Sequence, residues 1–80
     1  MKPYEALFAV NDRVCISERA VLENFMRTWR YHNPLKSEQI DFAGRTATVK
    51  EVGYYHGGDP LYVLKDVPGV WHEECLSALE

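Results

Sequence analysis

The stretch GRTATVKEVGYY, residues 44–55, decides the fold class of this chain. Threonine, valine and tyrosine recur in it, and these residue types favour β-strands. Ala47 and Val49 keep one parity along the stretch, whereas Val52 keeps the other. Because alternate residues of a strand face opposite sides, this change of parity predicts a β-bulge or a sharp bend near Lys50-Glu51. Such a bend allows one short strand to serve two sides of a small barrel.

Glycine and proline punctuate the chain after this strand. The segment HGGDP, residues 56–60, predicts a turn, since glycine adopts positive φ and proline does not fit a central strand. Pro68-Gly69 predicts a second, tight turn. Further strands are expected at 61–67 and 70–74, followed by one short helical turn within 75–80.

The N-terminal half combines strands with one helix. Alternating apolar residues over 4–16 predict two short strands separated by a bend at Asn11-Asp12. Residues 18–31 have the spacing of an amphipathic helix, which ends before Asn33-Pro34 because proline disfavours helical backbone in the residue before it. Residues 35–43 form a polar connector. The side chains expected to anchor the helix and the connector in the core are Val21, Leu22, Phe25, Met26, Ile40 and Phe42.

Several short strands, glycine and proline turns and one inserted helix indicate a mainly β protein, and more specifically a small, partly open β-barrel. The chain has 80 residues. A domain of this size buries only roughly 60% of the surface that its unfolded chain exposes. We therefore expect a single domain over 1–80, with a helical insertion at about 18–31. This excludes a large enzyme with separate cofactor and substrate domains.

The order of the motifs resembles that of an SH3-like barrel. FAVNDRV at 8–14 is followed by GRTATV at 44–49, PLYVL at 60–64, Trp71 and a closing Leu76. This order is similar to the barrel domain of the nitrile hydratase β subunit, whose pattern begins with a Gly-Asp-Arg-Val strand, continues through a Gly-x-x-Gly-x-Val strand and ends in Leu-Tyr-x-Val and tryptophan. In that family the metal-binding cysteines belong to the other subunit. The resemblance therefore implies an accessory or partner-binding domain rather than a catalyst.

The two cysteines, Cys15 and Cys75, are expected to be buried free thiols, because both stand among apolar residues. A zinc site that combines them with His72 and His56 is the alternative, since thiolate and imidazole are preferred zinc ligands. Structural zinc sites normally present two closely spaced ligand pairs, and this chain has only one. We predict no metal and no cofactor.

No catalytic motif is present in the sequence. Gly57-Gly58 is followed by Asp59 rather than by the lysine of a phosphate-binding loop. His72 and Cys75 would point to opposite faces of the predicted strand, so they do not form a nucleophile and base pair. The adjacent acids Glu73-Glu74 also diverge on a strand. We predict that the protein is not an enzyme.

The charge is unevenly distributed along the chain. The net charge is -3, but residues 1–50 carry 8 Lys+Arg and 6 Asp+Glu, whereas residues 51–80 carry 1 and 6. Cations and aromatic rings alternate at the end of the predicted helix, where cations also complement the helix dipole. Together they suggest an alternative function, a nucleic-acid-binding module. The residues concerned are Arg27, Trp29, Arg30, His32 and Lys36.

A second candidate surface is aromatic and supports the leading hypothesis, a non-enzymatic module that binds a protein partner. Tyr54, Tyr55 and His56 precede one predicted turn, and Trp71 follows the other, so the two hairpin ends could meet at one rim of the barrel. Tyrosine and tryptophan are enriched at binding hot spots. We expect the partner to bind this rim, the inserted helix, or both; alternatively, the rim residues only cap the core.

The sequence also suggests a soluble protein of the cytoplasm. No uninterrupted run of about 18 apolar residues is present that could cross a bilayer. The first residues lead into an apolar run of only five, 6–10, which is shorter than a secretory signal requires. A homodimer is plausible, because a thin core gains from covering an exposed strand edge.

Overall fold

A computed structural model describes residues 6–29, 33–55 and 59–79. Over these ranges the chain forms five β-strands, two α-helices and one 3₁₀ turn. Their bounds are β1 Arg13–Ile16, α1 Arg19–Thr28, α2 Ser37–Ile40, β2 Thr46–Tyr55, β3 Asp59–Leu64, β4 Val67–His72, the 3₁₀ turn Glu73–Cys75 and β5 Leu76–Ala78. The prediction of a mainly β protein with an inserted helix is confirmed.

The strands form one open antiparallel sheet in the order β4-β3-β2-β1-β5. Strands β2, β3 and β4 are consecutive neighbours, and β5 returns to pair with the opposite side of β1. Both helices lie between β1 and β2 in the chain. The sheet therefore has two outer strands, β4 and β5.

Strand β2 contains the predicted bulge. Val49 lies opposite Leu64, and Glu51 lies opposite Val63, so the register shifts by one residue at Lys50. The first part of β2 pairs with β1, and the part after the bulge pairs only with β3. The change of parity in the sequence was a correct signal because it reflects this extra residue.

The predicted turn at Pro68-Gly69 is wrong. The chain instead reverses at Lys65-Asp66, and both Pro68 and Gly69 lie within β4. Asp66 has a φ of 62°, a conformation that Asp tolerates in turns. Proline fits β4 because this strand is at the edge of the sheet, where a missing N–H group is tolerated.

The N-terminal segment is only partly a strand. Residues 6–12 precede β1 and have no strand geometry, so the first of the two predicted strands is absent from the described part of the chain. The predicted bend at Asn11-Asp12 is confirmed: Asn11 has a φ of 79°, and the Asp12 N–H donates to the Ala9 carbonyl at 3.0 Å. The N–H groups of residues 7 and 8 bond to side chains rather than to a neighbouring strand.

Helix α1 is shorter than the predicted helix and buries a narrower stripe. It ends at Thr28, and the Trp29 N–H caps it by donating to the Phe25 carbonyl. Leu22 and Phe25 are buried as predicted. Val21 and Met26 were also expected in the core, but both are exposed. They flank the buried stripe on either side, outside the surface of α1 that the rest of the protein covers.

The connector and the C-terminus also differ in part from the sequence-based interpretation. The connector contains the one-turn helix α2; Ile40 is buried, and Phe42 packs against the core as predicted. Strand β4 ends at His72 rather than at residue 74. The last residues form a 3₁₀ turn and β5 instead of a helical turn, because β5 gains the free edge of β1 as a partner.

The buried apolar side chains of the sheet, the helical insertion and the 3₁₀ turn form one cluster. Its fully buried members come from strands, α1 and the 3₁₀ turn: Val14, Ile16, Leu22, Val49, Tyr62, Trp71 and Cys75. In the described ranges, neither helix is long and apolar enough to cross a membrane.

Candidate functional site

The far end of the β2–β3 hairpin exposes two tyrosines. Tyr54 lies opposite Pro60, and Tyr55 lies opposite Asp59. Within the described residues, β1 and β4 pair with β2 and β3 nearer to the base of the hairpin than these four positions. We call them the hairpin end. Tyr54 is 39% exposed and Tyr55 is 40% exposed. The hairpin end thus carries two large aromatic side chains on a two-stranded ribbon.

Trp71 does not belong to the same surface. It is fully buried, and its indole Nε1–H donates to the Pro68 carbonyl at 3.2 Å. It lies opposite Tyr62, which lies opposite Val52, so the three residues share one face of the sheet, and this face is covered by the core. The expectation that Trp71 contributes exposed surface to an aromatic rim is therefore wrong. His56, the fourth residue predicted for the rim, lies outside the described residues.

The basic and aromatic end of the helix is only partly within the described residues, which exclude Arg30 and His32. Trp29 is half-buried, and its ring stacks on Phe25 at 5.3 Å with an angle of 14° between the planes. Exposed Arg27 donates to the Asn24 side-chain oxygen at 3.0 Å. One face of the Trp29 ring is therefore occupied by the protein itself.

His72 links the sheet to the helical insertion, a role that the sequence did not suggest. Its ring is 4.9 Å from the rings of both Phe25 and Trp29 and is almost completely buried. Its Nε2 is 2.9 Å from the Asn33 carbonyl oxygen. The last residue of β4 thus contacts α1 and the segment that follows it.

A groove lies between the helical insertion and β4. Its volume is about 350 Å³, and we call it the insertion groove. Its walls combine apolar, polar and glycine surface with one cation: Asn33, Pro34, Lys36, Gln39, Gly69 and Val70. Lys36, which was proposed for nucleic-acid binding, lies here with an exposed side chain. The groove therefore carries a positive charge at its opening.

Gln39 forms the floor of the insertion groove and fixes its shape. Its amide Nε2–H donates to the Val70 carbonyl at 3.1 Å, and its Oε1 accepts the Lys36 N–H at 2.9 Å. Gly69 has a φ of 90°, and a Cβ atom there would lie 2.7 Å from the Gln39 Cδ. The close approach of α2 to the edge of β4 thus requires glycine at position 69.

The two cysteines form no disulfide, but the prediction that both thiols are buried is correct only for Cys75. Cys75 is fully buried, and this burial raises the pKa of its thiol to about 12, with a smaller contribution from the charge of Glu74. Cys15 is half-buried, with its Sγ 3.5 Å from the Ile16 carbonyl oxygen. No cluster of three or more His, Cys, Asp or Glu side chains that could hold a metal ion occurs among the described residues, which exclude His56.

A polar pair at the other end of the core was not predicted from the sequence. Tyr62 is fully buried, and its hydroxyl donates to the Glu73 carboxylate at 2.6 Å. Burial, reinforced by the hydrogen bond to Glu73, raises the pKa of the Tyr62 hydroxyl. The same carboxylate oxygen accepts the Leu7 N–H at 2.8 Å. No spacing rule indicates this contact, because 66 residues separate Leu7 from Glu73.

Comparison with known proteins identifies no relative. No protein-family model matches the chain, and no curated protein or solved structure shows significant similarity to it. The candidate sites therefore stand on the geometry of this chain alone.

Proposed function

We propose that the protein is a non-enzymatic SH3-like barrel that binds a protein partner through the hairpin end and the neighbouring face of the inserted helix. Two features support the barrel. The last strand returns to the first, and the bulge in β2 allows this strand to take part in two layers. In this proposal the two helices occupy the long connection between β1 and β2.

The observation that carries the partner-binding function is the exposure of Tyr54 and Tyr55 on a ribbon of only two strands. Two-stranded ribbons are marginally stable in water, and this ribbon presents both tyrosine side chains at its surface. Tyrosine supplies a large contact area with few rotatable bonds and also a hydroxyl for hydrogen bonding. These properties account for its enrichment at binding hot spots.

The register of the hairpin connects the two tyrosines with the rest of the surface. Tyr55 is two residues beyond Gly53, which lies opposite Leu61, and Leu61 lies opposite His72. Alternation therefore places Tyr55 on the face where His72 meets α1, and Tyr54 on the opposite face. A partner that grips the hairpin end would contact both faces and reach the inserted helix on one side.

The nucleic-acid hypothesis has less support from the geometry. Base stacking needs an accessible aromatic face, and one face of Trp29 is stacked on Phe25. Arg27 donates a hydrogen bond to the Asn24 side chain, and Lys36 lines the insertion groove. Nucleic-acid binding is therefore an alternative outcome of the photo-crosslinking experiment.

Photo-crosslinking in cells of the source tests the proposal directly. Benzoylphenylalanine introduced at Tyr55 should crosslink to one protein, whereas the same group at exposed Lys65, in the turn at the other end of β3, should not. Excess wild-type protein should compete for the crosslink. A double variant with Tyr54→Ser and Tyr55→Ser should compete at least about tenfold less well, since hot-spot truncations cost about 2 kcal/mol or more.

Two results would contradict this function. Identical crosslinks at Tyr55 and Lys65 would mean that the hairpin end has no specific partner. A crosslink that disappears after nuclease treatment would support nucleic-acid binding instead. Thermal unfolding of the double variant should match that of the wild type, which separates loss of binding from loss of the fold.

A further inference from the structure

The segment before β1 crosses the core as a strap. We call residues 6–10 the N-terminal strap. Phe8 is buried at its centre, whereas Leu7 is 74% exposed and Val10 is also exposed. The strap thus anchors itself with one of its three large apolar side chains and directs the other two away from the core.

Side chains rather than a strand hold the backbone of the strap. The Leu7 N–H donates to the Glu73 carboxylate at 2.8 Å, and the Phe8 N–H donates to the Tyr62 hydroxyl oxygen at 3.3 Å. The ring of Phe8 meets the ring of Tyr62 edge to face, with 5.4 Å between the centroids. Tyr62 and Glu73 together form what we call the cradle.

The cradle contacts general features of a peptide segment. It supplies two acceptors for successive backbone N–H groups and one aromatic surface for the side chain of the second residue. The Tyr62 hydroxyl is oriented by its own bond of 2.6 Å to Glu73, so the two acceptors hold each other in position. Nothing in these contacts requires the peptide to belong to the same chain.

We propose that the cradle is a docking site for a segment of a partner protein, in which an aromatic residue follows an apolar one, and that the N-terminal strap fills this site as an exchangeable self-ligand. The strap itself defines the chemistry of the occupant, because Leu7-Phe8 is a segment seen to fit. Exposed Glu74 adjoins the cradle, and residues 51–80 carry a strong excess of acids. Flanking residues of the partner should therefore be neutral or basic.

The cradle is distinct from the hairpin end, so this inference does not depend on the function proposed for Tyr54 and Tyr55. Exchange requires that the strap be held weakly enough to leave. An exchanging segment has to replace two hydrogen bonds to the cradle, the buried ring of Phe8 and the packing of Ala6, whereas no strand ladder adds to these contacts over residues 6–10.

A matched pair of full-length variants tests the exchange. Leu7→Pro removes the N–H that binds Glu73, and Leu7→Ala keeps it; the side chain is exposed in both cases, so neither change empties the core. The probe is a fluorescent peptide of residues 6–11, Ala-Leu-Phe-Ala-Val-Asn, measured by anisotropy. We expect it to bind Leu7→Pro about tenfold or more tightly than Leu7→Ala, which should behave as the wild type.

Specificity is tested in the same assay. A probe with alanine in place of phenylalanine should not bind, and Glu73→Ala combined with Leu7→Pro should lose binding of the original probe. A basic version of the probe, with lysine at both ends, should bind Leu7→Pro more tightly than a version with glutamate at both ends.

The opposite results would overturn the proposal. Equal binding to Leu7→Pro and Leu7→Ala, or no binding to either, would show that the strap does not exchange. Unfolding of Leu7→Pro would show that the strap is a fixed part of the fold. Dimerisation of Leu7→Pro in the absence of the probe would identify a second copy of this chain, rather than a partner protein, as the occupant.

Discussion

The β2–β3 hairpin has a base and an end that are built from similar residues but have opposite environments. At the base, Val49, Tyr62 and Leu64 are buried; at the end, Tyr54 and Tyr55 are exposed. At the base, β4 pairs with β3, and Val49 bonds to Asn11 and Asp12 in the segment that leads into β1; within the described residues neither β1 nor β4 pairs with the hairpin end. Along this hairpin, burial of a tyrosine therefore follows the neighbouring strands rather than residue type.

Replacing Trp71 should have the largest effect on the free energy of unfolding and tests most directly whether the hairpin base and the hairpin end differ. Trp71 flanks the hairpin base from β4 and is fully buried, so Trp71→Ala should lower the free energy of unfolding by about 3–5 kcal/mol. Tyr55→Ala at the hairpin end should change it by less than about 1 kcal/mol. Urea unfolding followed by circular dichroism measures both values. Similar losses in the two variants would mean that the base and the end are equally important to the fold.

The sequence predicted those parts of the fold that depend on local spacing. The parity change around Lys50 located the bulge, and the spacing of Leu22 and Phe25 located the buried stripe of α1. The turn after β3 was misplaced because Asp66 and Gly69 both adopt positive φ, and composition does not show which of them reverses the chain. Strand pairing decides this, and pairing depends on distant residues.

The candidate sites were less predictable for the same reason. The exposure of Tyr54 and Tyr55 was anticipated, but Trp71 was placed with them because all three follow or precede turn signals. Only the register with Tyr62 shows that Trp71 faces the core. The cradle was missed entirely, because it joins the first residues of the chain to the 3₁₀ turn near its end.

A change of pH should affect the stability of the buried part of the protein through the thiol of Cys75. The pKa of Cys75 is raised to about 12 from its ordinary value of 9.0. The unfolded chain therefore releases this proton first, so the stability due to the neutral thiol is complete below about pH 9 and is lost progressively up to about pH 12. At pH 10 the loss should be about 1–2 kcal/mol.

Urea unfolding between pH 8 and pH 10 measures this loss, with a reducing agent present to keep the thiols free. Cys75→Ala should show a much flatter dependence of stability on pH over this interval. The comparison uses the slopes, so the cost of the substitution itself does not affect it. An unchanged slope in Cys75→Ala would indicate that water reaches the thiol in the folded protein.

The smallest expected effect comes from substituting two glycines, one in a covered part of the sheet and one in an open part. Gly69 in β4 has positive φ and lies against Gln39, whereas Gly53, near the hairpin end, has no atom within 4 Å of the position that a Cβ would occupy. Gly69→Ala should cost about 1–2 kcal/mol, because an alanine pays for the left-handed backbone and also displaces the Gln39 amide from Val70. Gly53→Ala should be neutral or stabilise the protein by up to about 1 kcal/mol, since alanine loses less entropy on folding. Thermal unfolding of the two variants measures the difference, and equal melting temperatures would show that the edge of β4 is as open as the end of the hairpin.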